Sequence, residues 1–204
     1  MDSTKSTEPA APTYTPLIRG ELVFLRPPER SDLPTFVRWF ADADMSSLLG
    51  NRAPFSEAGE EQWFSRHLEM QGKDVYGFVM CRLEDGAPFG TITLMHIDRD
   101  NGTAGVGIAI GEKSMWGKGF GTDAMRALLD FGFGEVRLER IWLDVYDFNK
   151  RAVRSYEKAG FKIEGIQRHA HYSEGRHRDV VLMAILRDEW AAQERKKTWD
   201  YRSH

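Results

Sequence analysis

Cysteine is almost absent from this 204-residue chain, where Cys81 stands alone. One thiol excludes an intramolecular disulfide, a thiolate-rich zinc site and an iron–sulfur cluster, and it fits a reducing, cytoplasmic setting. A basic surplus is missing too. Lys and Arg number 28 against 31 Asp and Glu, a formal charge of −3, which speaks against a dedicated nucleic-acid binder. No apolar run approaches the roughly 20 residues of a membrane span, and the start of the chain has no signal-peptide core. Internal repeats are lacking as well. What the chain does have is apolar mass, 41% hydrophobic and 12% aromatic, enough for a sizeable core.

Pro, Thr, Ser and Ala dominate residues 1–16, which read as a disordered leader. The patterned chain spans 17–190, and 191–204 is set apart as a C-terminal tail. Within the patterned part, 21–26 reads as a strand stopped by Pro27 and Pro28. Ser31 and Asp32 offer a helix cap before Leu33, Phe36, Val37 and Phe40, and Ser56 opens a second helix. The period then changes. Segments 76–83, 89–97 and 104–110 are strand-like and joined by the turn signals Asp85-Gly86 and Asn101-Gly102, an antiparallel meander. A helix over 122–133, a strand over 140–146, a helix over 149–159 ended by Gly160, and strands over 161–166 and 180–186 complete the chain. The order is that of a mixed α+β domain.

Between the meander and the next helix lies Trp116-Gly117-Lys118-Gly119-Phe120-Gly121-Thr122. Alternate glycines permit positive φ and close approach of the backbone to a ligand, and the helix's first amides are unpaired donors, suited to a phosphate. A P-loop needs Ser or Thr after Gly-Lys, and here Gly119 follows Lys118. The loose dinucleotide fingerprint Gly119-x-Gly121-x-x-Ala124 is matched, but it follows an antiparallel meander rather than opening a βαβ unit. A plain turn without a ligand is the remaining local reading.

Taken with the rest of the chain, this segment resembles the pyrophosphate motif of the GNAT superfamily of N-acyltransferases, with Trp116 in the usual Gln/Arg place. Asn149, Ala152, Tyr156, Gly160 and Phe161 are similar to the second family signature. The closing stretch through Tyr172, Gly175, Arg176, Asp179 and Met183 is similar to the branch of the ribosomal-protein acetyltransferases RimJ and RimL. The resemblance covers about 17–190. It implies a mixed, mostly antiparallel central sheet flanked by helices and splayed at a V-shaped acyl-CoA cleft.

The implied activity is transfer of acetyl from acetyl-CoA, as co-substrate and without a metal, to a primary amine by direct attack. The acceptor is a protein N-terminus, polyamine, amino sugar or small metabolite, and a homodimer is the assembly raised by the branch. Ile108, Ala109 and Ile110 would pair with the pantetheine arm. Gly117, Lys118, Gly119, Phe120, Gly121 and Thr122 would hold the pyrophosphate. Asn149 and Ala152 would border the arm. Tyr156 would protonate the departing thiolate. Asn149, Ala152, Val153 and Tyr156 fall at i, i+3, i+4 and i+7, on one helix face. The glutamate many relatives carry as base aligns with Gly105. That departure raises a second reading, an acyl-CoA-binding or sensing module with little turnover. His96 is the substitute base, and Trp39, Asp98 and Tyr172 are acceptor-side candidates. His169, His171 and His177 lie near one another in sequence, without a carboxylate spacing that completes a metal site.

Overall fold

The computed structural model describes residues 16–50 and 55–202. Strands β1 (Ile18–Arg19) and β2 (Val23–Arg26) precede helices α1 (Leu33–Phe40), α2 (Ala43–Leu49) and α3 (Glu57–Met70). The meander β3 (Tyr76–Arg82), β4 (Pro88–Asp98) and β5 (Thr103–Ala109) leads into α4 (Phe120–Asp130). Then come β6 (Arg140–Tyr146), α5 (Lys150–Ala159), the hairpin β7 (Lys162–Ser173) and β8 (Arg176–Leu186), and a short α6 (Arg187–Ala191). One eight-stranded sheet results, in the order β1-β2-β3-β4-β5-β6-β8-β7.

Every neighbouring pair is antiparallel except β5 and β6, which the crossover through α4 makes parallel. Their pairing stops after three positions, at Gly105 opposite Trp142. Beyond it β5 stays bonded to β4 as far as Ala109, and β6 to β8 as far as Tyr146. Each strand is held by its outer neighbour, so the two part and leave a V. The expected mixed, splayed sheet flanked by helices is what forms.

Two apolar clusters clamp the sheet. Phe78, Leu94, Leu128, Leu143 and Ile185 pack on the α4 and α5 face. Phe24, Phe36, Trp39, Phe64, Val79 and Cys81 pack with α1 and α3 on the other. A fully buried side chain of this size stabilises by about 1.5–3 kcal/mol, so both helical layers are firmly seated. Burial pushes the Cys81 thiol up to about 11, which suits a core residue and not a nucleophile.

Three elements differ from the sequence reading. Helix α2 was not expected. Asp42 caps it by accepting from the amides of Asp44 and Met45, and Gly50 closes it at φ +71°. β7 and β8 run well past their expected ends, because the turn at Glu174 and Gly175 joins them as one long hairpin. The segment set apart as a tail is tied down. Asp130, 1% exposed, accepts from Trp190 Nε1 at 2.8 Å, from both terminal nitrogens of Arg195 at 2.9 and 2.7 Å, and from the Thr198 amide at 2.9 Å. Thr198 Oγ1 in turn donates to the Arg19 carbonyl at 2.6 Å, sewing the C-terminal segment to β1. Of the expected leader, residues 1–15 lie outside the described residues, and Pro16 is buried. Among the described residues no helix is long and apolar enough to cross a membrane.

Candidate active site

The V between β5 and β6 opens into a cleft of about 950 Å³. Val106, Gly107, Ile108, Ala109 and Ile110 form one wall, and Asp144, Val145 and Tyr146 the other. Below lie the glycine turn and α5. Because β6 has left β5, the β5 edge faces the cleft and can receive an extended chain as an added strand. Trp116 Nε1 donates to the Ile110 carbonyl at 2.8 Å. A carbonyl oxygen can accept twice, so Ile110 stays with Ile108 and Ala109 on the cleft edge.

The glycine turn behaves as its composition dictates. Gly117 and Gly119 have φ of +73° and +92°, in the left-handed region where a Cβ is disfavoured. Gly119 is the N-cap of α4 and supplies no side-chain cap, so the first amides of the helix point outward as unpaired donors. Asp123, the acid of that first turn, borders the cleft but is engaged by backbone amides. It accepts from the amides of Glu21, Leu22 and Val23 at 3.1, 2.8 and 3.1 Å, leaving the positive helix end to the cleft.

Arg126, Arg151, Arg154 and Lys158 line the same end. The Arg151 guanidinium sits 3.8 Å from the centre of the Trp116 ring. Helix α5 thus places a cation on the aromatic residue that stands where the family motif carries its own polar one. Phosphates fit here by amide donors, helix dipole and local charge, in a protein with a net charge of −3.

Asn149 caps α5: its Oδ1 accepts from the Ala152 amide at 3.2 Å. The same side chain lines the cleft, so its NH₂ group is the part left to donate to a ligand. Ala152 and Tyr156 follow on the same helix face and also line the cleft. The Tyr156 ring packs 6.0 Å from Phe161, and burial pushes its phenol up to about 12. Such a group stays protonated at neutral pH, as a donor to a developing thiolate must.

The cleft thus gathers Ile108, Ala109, Ile110, Gly117, Gly119, Gly121, Thr122, Asn149, Ala152 and Tyr156. Lys118 is exposed outside it. Phe120 packs its ring 5.5 Å from Phe89, so only its amide can serve a ligand.

The other candidates lie elsewhere. His96 sits at a bulge of β4 with φ +52°, exposed and stacked at 6.1 Å on Trp142, and does not border the cleft. The structure therefore does not bring it together with Asn149 and Tyr156 on the cleft. Asp98 is spent on the turn, accepting from Asn101 N and Nδ2 at 2.9 and 2.7 Å. Trp39 is 2% exposed and its Nε1 donates to Glu112 Oε1 at 2.8 Å. Tyr172 is half exposed near the hairpin tip, against His177.

Glu112 is engaged as well. Burial pushes its carboxyl up, but the bonds from Trp39 and Arg38 outweigh it and hold the group below the ordinary range. At Gly105 a Cβ would meet the Trp142 indole at 3.1 Å, so that ring occupies the space where the missing glutamate would stand.

Residues to which the sequence reading gave no role at the cleft line its other side. Met45, Leu48 and Leu49 of α2 line the cleft, with Asp144 and Tyr146 of β6 and Gln167, Ala170 and His171 of β7. Ser47 Oγ donates to Glu174 Oε1 at 3.4 Å, linking α2 to the hairpin. Capping residues at Asp42 and Gly50 were the available signal for α2. His171 separates from His169 and His177, which stack on each other at 5.6 Å, while His171 stacks on Tyr146. Among the described residues no group of three His, Cys, Asp or Glu is placed to hold a metal ion.

Residues 23–162 match the family model of the acetyltransferase (GNAT) domain. The chain is 29% identical over 176 residues to a spermidine N(1)-acetyltransferase of Escherichia coli strain K12, covering 84% of this chain and 89% of that protein. An uncharacterized N-acetyltransferase, p20, of Bacillus licheniformis is 28% identical over 174 residues, covering 84% and 96%. Among solved structures, spermidine N-acetyltransferase from Vibrio cholerae in complex with CoA and spermine superposes with a TM-score of 0.76 at 27% identity, covering 83% of this chain and 98% of that one. The chain belongs to the GNAT family of N-acetyltransferases.

Proposed function

We propose that this enzyme moves acetyl from acetyl-CoA to a primary amine by direct attack, and that a polyamine is its acceptor. The observation that carries the mechanism is the parting of β5 from β6, which puts the β5 edge, the glycine turn, Asn149 and Tyr156 on one cleft. The pantetheine arm lies along Ile108 and Ala109, Asn149 donates to it, and the amides following Gly119 hold the pyrophosphate. The amine enters from the α2 side and attacks the thioester carbon. Tyr156 then donates its proton as the sulfur leaves, since a bare thiolate is a poor leaving group near neutral pH. A polycation is supported by the spermidine and spermine named for the relatives. The exposed carboxylate of Asp144 on the acceptor-side wall supports it too.

The test mixes the protein and acetyl-CoA with spermidine, spermine, an amino sugar and an N-terminal peptide of ribosomal type, and follows free thiol. Fastest release with the polyamines is the expected result. Release with the peptide alone would replace the polyamine by the protein N-terminus. Acetyl-CoA binding without release for any amine would favour the sensing module.

A further inference from the structure

We infer that His171 is the acceptor-side catalytic residue, its imidazole taking a proton from the amine that attacks the thioester. The inference rests on the acetyl-transfer reading above. It starts from the two faces of β6. Ile141, Leu143 and Val145 are buried in the cluster beneath α4 and α5. Alternation therefore sends Trp142, Asp144 and Tyr146 to the opposite face. Tyr156 packs with the first cluster, so the phenol reaches the cleft from one side and Tyr146 from the other.

His171 stands with Tyr146, its ring stacked at 4.0 Å and 24°. It comes there through a break in register, because β7 is bulged between Gln167 and His171 and His169 adopts φ +54°. Gly50, at the end of α2, closes over both rings; a Cβ on it would lie 2.1 Å from Tyr146 Oη and 3.3 Å from His171 Cε1. The charged neighbour in register is Arg178 of β8, whose guanidinium is held by Glu174 at 3.1 Å and covers Phe148.

Within this packing Nε2 of His171 is buried and has no hydrogen-bond partner. Buried imidazole nitrogens are ordinarily satisfied, and the ring itself lines the cleft, so a turn of the imidazole brings this unpartnered nitrogen to a group that arrives with the ligand. An amine nitrogen is such a group, and it must lose protons. An alkylammonium carries three. One remains on the amide nitrogen as the C–N bond forms. One ends on the CoA sulfur by way of Tyr156 as the C–S bond breaks. The third has to leave, and His171 carries it. Imidazole suits this work because one ring nitrogen can accept a proton while the other keeps its own. The role also accounts for the missing glutamate at Gly105, since the proton leaves on the β7 side of the cleft.

Two substitutions test it, with the best amine of the panel. His171→Phe keeps a ring on Tyr146 and removes the nitrogen; His171→Ala leaves room for added imidazole. Both are expected to lower kcat/KM for the amine about 100-fold. Acetyl-CoA affinity, measured by calorimetry, is expected to stay within about twofold because neither change touches the CoA wall. Added imidazole restores His171→Ala about tenfold and does nothing for His171→Phe. A His171→Phe enzyme within about threefold of wild type overturns the inference, and so does a His171→Ala enzyme that binds acetyl-CoA but gains nothing from imidazole. Absence of thiol release by the unmodified protein is a separate result, which overturns the acetyl-transfer reading and this inference with it.

Discussion

Tyr156→Phe separates the chemistry of the cleft from its architecture. The substitution removes one oxygen. The ring that packs 6.0 Å from Phe161 remains, as does the α5 face shared with Asn149 and Ala152. Acetyl-CoA binding is therefore expected to stay within about threefold, since the phosphate end and the β5 edge are untouched. Turnover should fall. With a phenol pushed up to about 12 by burial, about one molecule in 10⁴ is ionised at pH 8. Tyr156 is thus a proton donor throughout any ordinary assay and cannot act as a base. A positioned acid contributes about 10²- to 10⁴-fold, so kcat should drop at least about 100-fold, close to 2.7 kcal/mol of transition-state stabilisation. Thiol release at saturating acetyl-CoA and amine measures kcat, and calorimetry measures acetyl-CoA affinity. Unchanged turnover would refute the acid assignment. A loss confined to acetyl-CoA affinity would refute it as well, because it would make the hydroxyl a binding group. The sign with pH is also fixed: no decline in kcat below about pH 10 can come from this phenol.

Three further outcomes follow from other parts of the molecule. Gly119→Ala places a Cβ at φ +92° in open space, with Leu22 at 3.9 Å, so its cost is backbone strain of about 1–2 kcal/mol. Acetyl-CoA affinity by calorimetry should weaken about tenfold as the turn shifts to relieve it, and an unaltered Kd would show that the turn does not cradle the ligand. Asp130→Ala strands the buried Trp190 and Arg195 donors and should cost about 3–5 kcal/mol, lowering Tm by about 10 °C while kcat at low temperature holds. A Tm shift of about 2 °C or less would mean that the C-terminal strap is not anchored there. His67 is buried against Trp63 and Gly77, and burial lowers its pKa. The fold favours the neutral imidazole, so this stabilisation is complete above the unfolded pKa of about 6.5 and fades as pH falls toward the folded value. Denaturant midpoints between pH 7.5 and about 5 should show that loss, and His67→Gln should flatten it; equal slopes would refute it.

Which parts of this protein could be read from its sequence follows from the distance over which each part is assembled. The glycine-turn and α5 side of the cleft is local. A run of alternate glycines before a helix specifies left-handed turns and open amides within six residues, and the spacing from Asn149 to Tyr156 specifies one helix face within eight. Neither needs knowledge of a distant segment, so both were legible. The meander was legible for the same reason, since Asp85-Gly86 and Asn101-Gly102 set its register turn by turn. The splay of β5 from β6 was not visible in any residue; it came only with the resemblance, and it depends on pairings with β4 and β8 that lie outside both strands.

The side of the cleft built by α2, β6 and β7 is the opposite case. It takes Leu48 and Leu49 from a helix too short and polar to show a period, Asp144 and Tyr146 from β6, and His171 from a strand that reads as exposed. His171 meets Tyr146 only because β8 lies between β6 and β7 and because a bulge shifts the register by the needed amount. His96 shows the same dependence on packing. It has the right chemistry and sits in a good strand, but the bulge of β4 turns it onto Trp142 and away from the cleft. A proton carrier is useful only where the nitrogen loses its proton, and that place is set by packing between segments more than a hundred residues apart. The division has a functional consequence. In the proposed reading, a cofactor held by backbone amides and one helix face would constrain short stretches of sequence, whereas the acceptor would be chosen by side chains that only the folded chain brings together. Substitutions on α2 and β7 should therefore change which amine is used while leaving the grip on acetyl-CoA intact.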